Sequence, residues 1–148
     1  MSEVEKAVSL FMNGFRCSQA ILSTYGLQFG LERELALKLA SPFGAGMGSL
    51  GNTCGAVTGA FMVLGLKYGN SKVSEIKKKE KAYQVAKEFA SRFKSRNGTI
   101  KCSKLLNCDI STPEGRNKAV EEKLFIEVCP KLVRDAAEIL EEILQNNI

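Results

Sequence analysis

Histidine is absent from this 148-residue chain. Without it no Ser-His or Cys-His triad is possible, because no imidazole is available as general base. A Cys/His zinc finger and an HExxH site are excluded for the same reason. A CxxCH haem attachment also needs its His. The five cysteines, Cys17, Cys54, Cys102, Cys108 and Cys129, come no closer than six positions, so no CxxC exists either. Their odd number argues against a complete disulfide framework. The N-terminus, Met1-Ser2-Glu3-Val4-Glu5, has neither a basic nor an apolar leader region, which predicts a cytoplasmic, reducing home. The most apolar run, Gly55 to Leu66, is too short to span a bilayer.

What is present is ordinary for a globular protein. Hydrophobic residues make up 45% and charged residues 25%. The length suits one domain over residues 1–148 with a sizeable core. The net charge of +5 is unevenly spread: Lys67 to Lys104 carries 12 Lys/Arg against 3 Asp/Glu. Such a run reads first as a solvated helix face and second as a docking surface for an acidic partner. Nucleic acid is not the expected partner.

Helix signals dominate. Ser2-Glu3-Val4-Glu5 is a capping box, followed by Val4, Ala7, Val8 and Phe11 on one face. Asn13-Gly14 ends that helix. A second is predicted from Cys17 to Tyr25, and a third from Glu32 to Ala40, stopping ahead of Pro42. After a glycine-rich loop, Phe43 to Thr53, an apolar helix runs from Gly55 to Tyr68. The longest helix is placed at Lys72 to Arg96, with Ile76, Tyr83, Ala86, Ala90 and Phe93 in helical period. One or two turns follow from Cys102 to Asn107. Thr112-Pro113-Glu114 opens a helix expected to reach Val128, and Cys129-Pro130 opens the last. No alternating strand pattern is seen. The expected fold is an all-α, single-domain bundle of six to eight helices.

On this map Cys17, Cys54, Cys102 and Cys129 all fall at helix starts. A helix N-terminus offers free N–H groups and partial positive charge, both of which favour thiolate over thiol. Thiolate is the form that ligates metal and attacks disulfides. If these helix starts converge, they build a thiolate-rich pocket. The bland reading is that each cysteine fills core, as free cysteines often do. Cys108 lies about 240° around from Cys102 if that stretch is helical, and is taken as a spare thiol. The loop Gly44-Ala45-Gly46-Met47-Gly48 is not a dinucleotide fingerprint, since a helix exit rather than a strand precedes it. Gly51, Gly55 and Gly59 are candidates for close approach to a cofactor. The stripe Gly55, Ala56, Gly59, Ala60 suits either a homodimer interface or packing within one subunit.

Four pieces, Arg16-Cys17-Ser18-Gln19-Ala20, Thr53-Cys54-Gly55-Ala56-Val57-Thr58-Gly59-Ala60, Cys102-Ser103-Lys104 and Cys129-Pro130-Lys131, appear in an order that resembles a known family. It is the family named for its C_GCAxxG_C_C pattern, whose members are described as redox-active. The resemblance implies a shared role for Cys17, Cys54, Cys102 and Cys129, with Cys108 outside the pattern. A similar module in a dihaem cytochrome is linked with an iron–sulfur centre, but with no haem motif here only the cysteine module carries over. Three functions follow as expectations. The first is a redox protein of thiol-oxidoreductase or electron-transfer type. Its four cysteines would act either as catalytic thiols or as metal ligands to an iron–sulfur cluster, and its redox partner is an unidentified protein. The second is a structural zinc site, disfavoured by the wide spacing. The third is a helical interaction module with structural cysteines.

Overall fold

The computed structural model describes residues 1–146 and has the all-α single-domain architecture expected, with no strand among the described residues. The helices of eight residues or more are α1 (Glu3–Met12), α2 (Cys17–Gly26), α3 (Arg33–Ala40), α4 (Gly55–Tyr68), α5 (Ile76–Asn97), α6 (Pro113–Glu121) and α7 (Cys129–Gln145). Single helical turns lie at Cys102–Leu105 and Leu124–Glu127. No helix among the described residues is long and apolar enough to cross a membrane.

The helix ends follow their local chemistry. Ser2 accepts from the Glu5 N–H at 3.1 Å while the Glu5 carboxylate accepts from the Ser2 N–H at 3.3 Å, which completes the capping box. Gly14, at φ +112°, turns the chain out of α1. Thr112 caps α6 by accepting from the Gly115 N–H at 3.0 Å, with Pro113 at the first helical position. Gly98, at φ +84°, closes α5.

Two expectations change. The longest helix begins at Ile76, because the Glu75 carboxylate accepts from the Ser71 and Lys72 N–H groups and folds that segment into a turn. Its buried side is Val85, Phe89 and Phe93, while Ile76 and Tyr83 are exposed. Residues 76–80 are exposed all round, so the bundle covers only the later turns. The helix opened by Pro113 ends at Glu121 rather than near Val128. Lys123 takes a left-handed conformation, φ +57°, and redirects the chain into the Leu124–Glu127 turn.

α2 is the centre of the bundle: α4 packs along it, and α1, α3 and α7 pack around it. α5 closes over α4 and α7. Ala20, Ile21 and Leu22 of α2, Val57 and Ala60 of α4, Phe89 and Phe93 of α5, and Leu140 of α7 are fully buried there. A smaller cluster joins Cys102, Leu106, Ile110, Ala119 and Cys129 at one end. The basic helix is tied inward at its C-terminal half. Arg92 meets Glu142 at 3.0 Å, and Arg96 meets Asp135, Glu138 and Glu142 at 3.2, 2.7 and 3.3 Å. The glutamates of α7 therefore face partners as well as solvent; Glu141 accepts from the buried Tyr25 hydroxyl.

Asp135 is buried and also accepts from Lys131 at 2.6 Å. Burial pushes its carboxyl up, but Lys131, Asn97 and Arg96 outweigh burial and hold it below the ordinary carboxylate value. A depressed folded pKa stabilises fully above the unfolded value of about 4, and that stabilisation is lost as pH falls through the folded value. The urea midpoint should therefore fall more steeply between about pH 5 and about pH 2 in the native chain than in Asp135→Asn. Equal slopes would show that this network does not contribute.

Candidate functional site

The four patterned cysteines meet. Cys17 is the first residue of α2, Cys54 the N-cap of α4, Cys102 the first residue of its turn, and Cys129 the first residue of α7. All four line one cavity, together with Phe11, Arg16, Ala45, Leu105, Phe125 and Leu132. Their exposures are 8%, 4%, 7% and 9%, so the sulfurs are held away from bulk water. All are free thiols. Cys108 does not line the cavity. Asn107, at φ +51°, turns the chain after the short helix, and the Cys108 thiol donates to the Gly115 carbonyl at 3.1 Å.

The residues around Cys17 are fixed one by one. The Ser18 hydroxyl donates to the Ala40 carbonyl at 2.8 Å and fastens the start of α2 to the end of α3. The Gln19 side chain accepts from the Arg16 N–H at 2.8 Å and donates to the Leu37 carbonyl at 3.0 Å. Ala20 is fully buried. α4 then approaches α2 through glycines. A Cβ at Gly55 would lie 2.5 Å from the Cys17 Sγ and 3.1 Å from the Ser18 N; one at Gly59 would lie 2.9 Å from the Ser18 carbonyl oxygen. The small-residue stripe is thus used within this chain, to bring two helix starts together. Gly51, at φ +72°, sits against Ser103 instead.

Cys54 and Cys102 are joined by a feature that helical periodicity does not reveal. The Cys54 N–H donates to the Ile100 carbonyl at 2.8 Å and the Cys102 N–H to the Asn52 carbonyl at 2.6 Å. Thr53 and Lys101 form the antiparallel bridge between them. The glycine-rich loop supports this pair from behind. Ala45, Gly46, Met47, Gly48 and Ser49 all have positive φ, forming a left-handed turn. Each non-glycine residue there costs about 1–2 kcal/mol, and such strain collects at functional sites. The turn brings the Ala45 N–H to Cys17, and the Asn52 N–H donates back to the Gly46 carbonyl at 2.9 Å.

The electrostatics separate the thiols. The neighbouring Cys54 side chain favours the thiolate form of Cys17 most; burial opposes its ionisation, and the Ser18 N–H, Arg16 charge and Ala45 N–H favour it. Its pKa is lowered to about 7. Cys54, holding the shared proton and buried beside a developing thiolate, is raised well above the ordinary thiol value. Burial and then the Cys17 charge push Cys102 up to about 12, and burial with the charges of Cys17 and Cys102 pushes Cys129 up to about 12. Cys17 is therefore the thiol of the four that ionises first, while burial and its charge keep the other three protonated. The Arg16 guanidinium lies 5.7 Å from the Phe125 ring centroid, and its stem covers Gly44. Phe125 gave no signal in the sequence; only the turn at Lys123 delivers it.

Four cysteine sulfurs are the usual ligand set of an iron–sulfur cluster, and the buried cysteines of this cavity would be the residues to hold one. Among the described residues no three Cys, Asp or Glu side chains are already gathered in a metal-holding arrangement. The cavity leaves about 20 Å³ open to the centre of a water-sized molecule, space for about one water.

Gly55→Ala should cost about 1–3 kcal/mol in chemical denaturation, as overpacking against backbone does, and should return the Cys17 pKa toward the ordinary thiol value. Gly65→Ala, on the same helix with open space around it, should be neutral or stabilising by about 1 kcal/mol. Equal effects would refute the close-approach argument.

Residues 15–143 match the model of the family described as "Putative redox-active protein (C_GCAxxG_C_C)". No curated protein and no solved structure matches the chain. The match covers most of the 148 residues and spans all four cavity cysteines, so the chain belongs to the C_GCAxxG_C_C redox-active family.

Proposed function

We propose that the chain is a two-electron thiol redox protein whose working couple is Cys17 and Cys54. The observation that carries this reading is the convergence of two helix N-termini on one cavity, with Cys17 opening α2, Cys54 capping α4 and the Gly55 backbone set directly against the Cys17 Sγ. One cysteine is poised as thiolate and the other keeps the proton. Oxidation joins the sulfurs: Cys17–S⁻ and Cys54–SH give the disulfide, one proton and two electrons. Arg16 and the N–H groups of Ser18 and Ala45 favour the charged form of Cys17 before reaction. Gly55 and Gly59 serve the couple by letting α4 reach α2, and Gly51 shapes the loop behind it. Cys102 and Cys129 line the same cavity and are held protonated, which keeps them out of exchange with the Cys17–Cys54 disulfide. The reading calls for a reducing cytoplasm, where free thiols persist, and for a redox partner that completes the cycle.

Equilibration in dithiothreitol redox buffers followed by peptide mapping should give one Cys17–Cys54 disulfide, absent from Cys17→Ser and Cys54→Ser. The couple releases two protons per two electrons below the Cys17 pKa of about 7 and one above it. Its midpoint potential should thus fall by about 60 mV per pH unit below that point and by about 30 mV above it. A single slope throughout would reject Cys17 as the thiolate. Stoichiometric iron and sulfide in protein purified without oxygen would overturn the dithiol reading in favour of a cluster.

A further inference from the structure

The Cys17–Cys54 couple lies where few oxidants can reach it. Both sulfurs are buried, and the space beside them holds about one water. Phe11, Leu105, Leu106, Phe125 and Leu132 wall that space with apolar surface. A thiolate that attacks a disulfide must line up three sulfurs, two of them carrying chains. Such a substrate needs far more room than this cavity offers.

A hydroperoxide needs much less. It presents two bonded oxygens, and the reaction requires a sulfur nucleophile, a donor for the departing oxygen and a second thiol. Cys17 and Cys54, which line the cavity together, are the nucleophile and the second thiol, and Arg16 borders the same cavity as the candidate donor. Arg16 is the cationic side chain of the lining, held over the Phe125 ring. A guanidinium carries several N–H donors and cannot lose its charge.

We propose that the oxidant consumed at this site is a hydroperoxide, hydrogen peroxide first, admitted to the small cavity that Cys17, Cys54 and Arg16 line. This rests on the dithiol reading above. The Cys17 thiolate attacks one peroxide oxygen; the S–O bond forms and the O–O bond breaks. The departing hydroxide, steadied by Arg16, takes the Cys54 proton and leaves as water. The Cys54 thiolate then attacks the Cys17 sulfenic sulfur; the S–S bond forms and the S–O bond breaks. The second hydroxide takes a proton from solvent. One thiolate, one thiol, one peroxide and one proton thus give a disulfide and two waters. A dithiol reductant returns the two electrons. Because the narrow cavity leaves little room for a molecule of that size, reduction waits on opening of the site and is the slow half of the cycle.

The test mixes the reduced full chain with hydrogen peroxide, with tert-butyl hydroperoxide and with oxidised glutathione, following disulfide formation by rapid quench and peptide mapping. At pH 7 hydrogen peroxide should form the Cys17–Cys54 disulfide at least about tenfold faster than it oxidises free cysteine, which is only a few per cent thiolate. The two bulkier oxidants should be slower than hydrogen peroxide. In Cys54→Ser the Cys17 sulfenic acid should persist and show as one added oxygen in the intact mass. Arg16→Met, which keeps the stem and removes the charge, should slow the peroxide step by about tenfold or more with the circular dichroism unchanged. If the couple equilibrates in dithiothreitol buffers but peroxide reacts no faster than with free cysteine, the inference fails and the dithiol couple stands. Oxidised glutathione reacting faster than peroxide would also overturn it. If neither dithiothreitol buffers nor peroxide yields the disulfide, both readings fail.

Discussion

The approach of α4 to α2 at Gly55 and Gly59 is the contact on which the rest depends. Where a side chain would normally hold two helices about 8–10 Å apart, these glycines let the first turn of α4 rest against the Cys17 Sγ and the Ser18 backbone. Cys54, one residue ahead of Gly55, is thereby carried to Cys17. Glycine inside a helix costs roughly 1 kcal/mol each against alanine, and the fully apolar burial of Val57, Ala60 and Val63 on the same helix offsets it.

The same contact explains the electrostatics. Two helix N-termini meeting would repel through their partial positive charges. A thiolate placed between them reverses the sign of that interaction. Its neighbours then keep their protons, since a second charge in a buried site meets both burial and repulsion. One negative charge, shared with a thiol and faced by Arg16, is the state this geometry favours. The left-handed turn at Ala45–Ser49 belongs to the same arrangement, because it places one more N–H on that charge and closes the cavity on the side of Cys102.

The basic segment has a divided role. Arg92 and Arg96 bind the acidic face of α7, while the lysines near the start of α5 remain in solvent. Surface pairs of this kind contribute little singly, but the buried Asp135 makes this group more than a solubilising face.

Most of the helices and most of their starts were legible in the residues themselves. Ser2, Thr112-Pro113 and Cys129-Pro130 act within one turn of their own backbone, and local chemistry of that range is written in adjacent residues. The position of all four patterned cysteines at helix starts was legible for the same reason. Tertiary structure alone decided that those starts converge, because convergence depends on where distant segments pack. The Thr53–Lys101 bridge joins residues far apart in the chain and leaves no periodic signal. Phe125 enters the cavity through a left-handed Lys123, a conformation that lysine does not advertise. The exposure of Ile76 and Tyr83 was likewise hidden, since periodicity gives a face but not the length of helix its neighbours cover. Whether four thiols close on a metal or leave a water-sized space is a matter of separations among four helix ends, and only the packed bundle fixes those.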